Sequence, residues 1–245
     1  MVNERTPRNG AAGLPSARPL TSVDLAIFAV REGALRVLLV QRPDDAGEPF
    51  PSSWALPGGF VDVAADRDLE ACAARKLKEK TGLASPYLEQ LGSWGGAARD
   101  PRGWSATHAY MALIPGVAPP VEKGANAADV EWAPIAGQGV RRKLAFDHDT
   151  ILAAAVSRLR SKVEYTSLPT FLLPREFTLS DLQGVYEVIL GRKLEKSAFR
   201  SRILAADVVE PVPRVRRGSN RPAQLYRLKR RKRPVIFART FNPPK

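Results

Sequence analysis

The chain has 245 residues, 44% apolar side chains and a net charge of +13. That length allows one large domain or two modest ones, and the apolar share is enough for a core. A single cysteine, Cys72, excludes an intramolecular disulfide, and no apolar run approaches the about 18 residues of a membrane helix, so a reducing cytoplasm and no membrane partner are expected.

Residues 1–19 are polar, lack the apolar stretch of a signal peptide and read as a disordered lead-in. A first domain is expected over 20–161. Val23–Val30 and Leu35–Gln41 are strand-like runs joined at Arg31-Glu32-Gly33, which reads as a hairpin. Ser52–Leu56 leads into a Pro57-Gly58-Gly59 turn, and a helix is expected over Asp66–Thr81, stopped by Gly82. Strand candidates return at Tyr87–Trp94, His108–Ile114 and Val130–Trp132. A helix over Asp147–Ser161 then places Ile151, Leu152, Ala155 and Leu159 on one face. Asp147 reads as that helix's N-cap.

Residues 162–170 read as a linker, with Pro169 discouraging a continuous helix. The pattern then changes over 171–232. Thr178 and Asp181 form a capping-box variant before Leu179, Leu182, Val185, Tyr186 and Ile189 at helical spacing, and Gly191 ends that helix. A second helix begins near Glu195 and buries Ala198, Phe199 and Ile203. Two β-prone runs, Val208–Val215 and Gln224–Leu228, flank a loop rich in arginine. Helix, tight turn, helix and basic-tipped hairpin is the order of a winged helix-turn-helix. Residues 233–245 read as a basic tail.

The charge is unevenly spread. Residues 157–245 hold 21 Lys/Arg against 7 Asp/Glu, whereas 1–156 hold 17 against 18. A region that basic repels itself without a polyanionic partner, and nucleic acid is the first candidate. Lys196, Ser197, Arg200 and Ser201 lie opposite Phe199 and Ile203, the division a recognition helix needs. Arg214, Arg216, Arg217 and Arg221 sit on or beside the wing, where they can meet phosphates or a minor groove.

The stretch Gly59–Leu83, GFVDVAADRDLEACAARKLKEKTGL, resembles the Nudix box G-x5-E-x7-R-E-U-x-E-E-x-G-U, with two extra residues after the glycine. Arg75, Leu77, Glu79, Gly82 and Leu83 match, but Arg67, Lys76 and Lys80 stand at glutamate positions. Magnesium wants several oxygen ligands, so most of the metal site is missing and hydrolysis is expected to be lost. Lys76 and Lys80 either neutralise a pyrophosphate directly or are solvated surface charges. Gly58 and Gly59 either bring backbone close to a phosphate or form a plain tight turn. Arg42 either reaches the same cleft or is an ordinary strand-end charge.

Both halves together resemble the NrtR family of Nudix-related regulators of NAD metabolism. The resemblance rests on Trp54–Val61 (WALPGGFV), Leu144–His148 (LAFDH), Leu182–Gly191 (LQGVYEVILG), Phe199-Arg200 and Arg221–Tyr226 (RPAQLY). It implies an α+β chain: a Nudix-like α/β/α sandwich and then a winged helix. It also implies a homodimeric repressor of NAD synthesis or salvage genes, released from operator DNA by ADP-ribose or a related nucleotide, with no cofactor required. By position, the effector cleft would be lined by Arg42, Gly58, Gly59, Arg75, Lys76, Glu79 and Lys80. The DNA surface would comprise Lys196, Ser197, Arg200, Arg202, Arg217, Asn220 and Arg221. Some members keep the glutamates that Lys76 and Lys80 replace, and Asn220 stands where the family often has glycine. The rival readings are an active Nudix hydrolase with a basic nucleic-acid-binding arm, and an RNA-binding relative.

Overall fold

The computed structural model describes residues 18–82, 85, 87–116, 127–217, 222–229 and 233–241. Leu83 of the box, Asn220 and Arg221 of the wing and most of the lead-in lie outside them.

β1 (Leu20–Arg31) and β2 (Ala34–Gln41) form a hairpin whose turn residues Glu32 and Gly33 both have positive φ, 51° and 71°. Such turns carry the twist of the flanking strands. β3 (Trp54–Ala55) and β4 (Gly58–Phe60) follow, then α1 (Leu69–Thr81), β5 (Tyr87–Asp100), β6 (Gly103–Leu113), β7 (Asp129–Pro134) and α2 (His148–Tyr165). The sheet runs β3-β2-β1-β6-β5, with β4 also on β1 and β7 also on β2; β1 and β6 are parallel. Alternation along β1 assigns its two faces. Val23, Leu25, Ile27 and Ala29 cluster with Cys72, Ala73 and Leu77 of α1, while Ala26 and Phe28 cluster with Ile151, Leu152, Ala155 and Leu159 of α2. The result is an α/β/α sandwich.

Four boundaries differ from the sequence reading. α1 starts at Leu69, not Asp66, because Asp68 is the N-cap and its carboxylate accepts the Ala71 N–H at 2.7 Å. β5 and β6 extend to one long hairpin through Gly95 and Gly96, residues of low strand preference that are held by pairing with Ala106 and Ser105. The expected linker is not a solvated tether. α2 continues to Tyr165, and a buried 3₁₀ turn covers Leu168–Leu172 with Pro169 in its first turn, where a missing N–H costs little. The basic tail also folds back. Val235 exchanges hydrogen bonds with Ser167, Phe237 N–H donates to Tyr165 O at 2.7 Å, and Phe237 is buried.

The second unit contains β8 (Phe177–Thr178), α3 (Leu179–Leu190), α4 (Lys196–Ala205), β9 (Val209–Arg216) and β10 (Ala223–Leu228), with strand order β8-β10-β9. The Thr178–Asp181 capping box is complete, and Gly191 closes α3 in the left-handed conformation. One hydrophobic cluster runs from Phe28 and Met111 through Ile151 and Leu159 to Phe171, Leu182, Tyr186 and Phe199. The two halves therefore share a core. The junction is not filled throughout: a cavity of about 450 Å³ lies between Val30, Arg31, Leu173, Val185 and Arg216.

Tyr186 is fully buried in that shared core, and its hydroxyl donates to Thr166 O at 2.7 Å. Tyr186→Phe leaves that carbonyl unsatisfied and is expected to cost about 1–2 kcal/mol. Urea denaturation followed by circular dichroism measures this as a lower midpoint at unchanged slope.

Candidate functional site

The polar face of α1 carries the altered box. Arg75 forks onto Asp66, with Nε and a terminal nitrogen at 2.7 and 2.6 Å, and its other terminal nitrogen donates to Glu79 at 2.8 Å. This side chain pins the loop before α1 to the helix, and the paired guanidinium holds the Asp66 carboxyl far below the usual carboxylate range. Lys76 Nζ lies 3.3 Å from Glu79. Burial alone would raise the Glu79 pKa, but Arg75 and Lys76 hold it below its ordinary 4.5. Burial and the nearby Lys76 charge push Lys80 below its ordinary value, against the pull of Glu79. One carboxylate is thus shared by two cations, with a third beside them. A divalent ion there would meet a donor already neutralised, so the residues present do not fit one. Among the described residues no group of three His, Cys, Asp or Glu is placed to hold a metal.

The glycine turn faces this helix. Gly59 has φ 158°, and a side chain there would meet Lys76 Cε at 2.9 Å, so Lys76 lies directly over the turn. A Cβ on Gly58 would fall 2.2 Å from Asp24 Oδ1 and 2.5 Å from Val23 O. Only glycine allows β4 to approach β1 this closely.

Beneath Gly58 lies a buried network. Asp24 is 6% exposed and accepts from Arg99 at 2.8 Å, with His148 Nε2 at 3.4 Å. His148 Nδ1 accepts the Leu56 N–H at 2.9 Å, which leaves the ring's other nitrogen to face Asp24. Burial would raise the Asp24 pKa, but His148 and Arg99 hold it below its ordinary value. Asp147 stands at the N-cap of α2 yet makes no side-chain capping bond; its carboxylate binds Arg99 Nε at 3.0 Å instead. The network therefore joins β1, the glycine turn and the start of α2.

Arg42 is set apart from the lysines. It donates to Pro49 O and to Glu48, each at 2.7 Å, and lies 5.1 Å over the Phe146 ring. Phe146 in turn meets Phe50 edge-on and lies under Arg99. Among the sequence candidates, Gly59, Arg75, Lys76, Glu79 and Lys80 come together. Gly58 backs onto Asp24, and Arg42 joins an aromatic cluster on the Arg99 side.

On the second unit, Lys196, Ser197, Arg200 and Ser201 are exposed on α4 while Phe199 and Ile203 are buried. Glu195 caps the helix by accepting the Ser197 and Ala198 N–H groups, so side chains rather than free amides face outward at that end. Arg217 is exposed and forms no ion pair among the described residues. Arg214 pairs with Glu176, and Arg216 pairs with Asp181 at 2.9 Å. Arg202 departs from its expected place on the DNA face. Its guanidinium lies 4.2 Å over the Phe241 ring, because position 202 is three residues after Phe199 and shares the inward face. Sequence reasoning missed Asp24, Arg99 and Phe241. A lone carboxylate inside the run Val23–Val30 was the available signal for Asp24, and the apolar residues Val235, Phe237 and Phe241 were the signal for Phe241; Arg99 carried none.

A mixed-sheet α/β/α sandwich with this box helix, followed by a winged helix, defines a Nudix-domain protein with a nucleic-acid-binding module. Residues 21–155 match the NUDIX domain, and 169–228 match the NrtR DNA-binding winged helix domain. The chain belongs to the NrtR family. It is 48% identical over 227 residues to the ADPR responsive transcriptional repressor NtrR of Acinetobacter baylyi, covering 93% of this chain and 89% of that one. The structure of Shewanella oneidensis NrtR complexed with a 27mer DNA superposes with TM-score 0.81 at 40% identity, covering 90% of this chain and 98% of that one. The NUDIX domain of the same protein complexed with ADP ribose matches with TM-score 0.53 at 39% identity, over 61% of this chain and 95% of that one.

The Asp24 network has a measurable pH signature. Asp24→Asn leaves Arg99 buried with half its compensation and is expected to cost about 3 kcal/mol. A carboxyl lowered below its ordinary 3.8 stabilises the fold above that value, and the benefit fades as pH falls through the folded value. The gap in melting temperature between parent and variant should stay constant from about pH 5 to 8 and close only below about pH 4.

Proposed function

We propose that this protein is an ADP-ribose-responsive transcriptional repressor of genes for NAD synthesis or salvage, acting as a homodimer. Its Nudix domain serves as receptor rather than hydrolase. The observation that supports this most directly is the charge state of α1. Lys76 lies over the glycine turn and pairs with Glu79, and the Lys80 charge is close enough for Lys76 to disfavour it. A diphosphate bound there relieves the repulsion between them, and it needs no divalent metal to do so. The same arrangement opposes hydrolysis, since among the described residues no cluster of His, Cys, Asp or Glu side chains is placed to hold an ion against the scissile bond.

Lys196, Ser197 and Arg200 on α4, with Arg217 on the wing, present donors to DNA phosphates and base edges. Arg214 and Arg216 contribute to the positive field while their guanidinium groups remain tied to Glu176 and Asp181. Two such helices in a dimer read two half-sites at a fixed spacing. A nucleotide in the cleft favours an arrangement of the halves that no longer fits that spacing. A tens-fold loss of affinity needs only about 2 kcal/mol of coupling.

The test is a gel-shift titration on duplex DNA from the region upstream of the gene, with and without ADP-ribose, in EDTA. The expected result is specific binding that ADP-ribose weakens tens-fold without metal, and no AMP when Mg²⁺ is supplied. Metal-dependent release of AMP together with indifference to the duplex would overturn the reading. Lys76→Glu should weaken ADP-ribose binding about tenfold or more, which is 1.4 kcal/mol or above, by isothermal calorimetry. Arg200→Ala should weaken specific DNA binding about tenfold while ADP-ribose affinity stays unchanged.

A further inference from the structure

The C-terminal segment 233–241 lies between the end of the sensor helix and the back of the recognition helix. At one end it is bonded to the chain that leaves α2. Val235 N–H donates to Ser167 Oγ and Val235 O accepts from Ser167 N, both at 2.9 Å. Ile236 bridges Thr166, Phe237 N–H donates to Tyr165 O, and Phe241 N–H donates to Glu164 O at 2.9 Å. At the other end Phe241 enters the aromatic core of the winged helix. Its ring lies 5.1 Å from Tyr186 on α3 and 5.9 Å from Phe199 on α4, stacked on the latter, and Arg202 of α4 covers it.

α2 itself starts at the floor of the glycine turn, where His148 and Asp147 join the Asp24–Arg99 network. Its 18 residues span about 27 Å, so one helix connects the glycine turn to the segment that Val235, Phe237 and Phe241 bind. We propose that Phe241 is a positioning residue for the recognition helix. Through it the C-terminal segment straps α4 to the end of α2, so that a displacement at the cleft end of α2 reaches the DNA-reading face. The cavity beside Val185 and Leu173 leaves room for the halves to shift against each other. Arg202 follows from the same view: its charge holds the strap rather than the DNA.

This inference rests on the repressor reading, and the test separates the two. Phe241→Ala is made in the full chain. Binding to the upstream duplex is measured with and without ADP-ribose, alongside ADP-ribose affinity by calorimetry and the melting temperature. A residue that only stabilises the fold would lower the melting temperature and leave the effector ratio intact. The strap predicts ADP-ribose affinity within about twofold of the parent, but an effector-induced weakening of DNA binding that drops from tens-fold to under about threefold. A variant that keeps the parent's full ratio overturns the strap. A parent with no ratio at all overturns the repressor reading, and the strap with it. Should Phe241→Ala fail to fold, Val235→Pro removes the N–H donated to Ser167 without opening the aromatic core, and the same loss of ratio is required of it.

Discussion

Helix α2 buries Ile151, Leu152, Ala155 and Leu159 in a cluster that also contains Leu182, Tyr186 and Phe199, so sheet and winged helix are joined through a common apolar core. Burial of apolar area at roughly 25 cal/mol per Å² favours keeping such a contact closed. A reader of DNA docked this way cannot swing freely on a tether, and its orientation is set by how α2 lies on the sheet. The function proposed for the chain depends on that constraint. Binding energy released at the glycine turn can act on α4 only if the parts between them are packed.

The electrostatics of the cleft follow from a few substitutions in the box. Charge reversal at positions 76 and 80 changes what the same backbone attracts. Carboxylates there would gather cations, whereas Lys76 and Lys80, beside a neutralised Glu79, attract anions. Arg75 keeps a structural role, bridging Asp66 and Glu79, and is consumed by it. The buried Asp24–Arg99–His148 group below Gly58 is satisfied within the protein, and it ties the turn to the first residue of α2. In the function proposed above, positive charge on α1 and positive charge on the wing address different partners: a small diphosphate at the glycine turn, and a long polyanion on an open face.

Local patterns in the sequence were enough for the hairpin of β1 and β2, the capping box at Thr178, the inward face of α3 and the wing strands, because each is decided within a few residues. The apolar periods also placed both helices of the sandwich. What escaped was decided at a distance. Arg99 meets Asp24 across 75 residues, and neither position announces the other. Ser167 and Val235 pair across 68 residues, so a segment rich in arginine read as a tail, although Val235, Phe237 and Phe241 supplied an apolar side. Arg202 was placed on the DNA surface by the family resemblance, when its spacing from Phe199 already set it on the inward face. Glu195 is a similar case: a carboxylate in a basic region has its purpose in the two backbone amides it caps.

Coupling between two sites is reciprocal: whatever factor the nucleotide imposes on DNA affinity, DNA must impose on nucleotide affinity. The most direct measurement is therefore calorimetric titration of ADP-ribose into the free protein and into the protein saturated with its upstream duplex. The account predicts weaker nucleotide binding in the DNA complex, by the same tens-fold factor seen in the opposite experiment. Equal nucleotide affinity with and without DNA would contradict it.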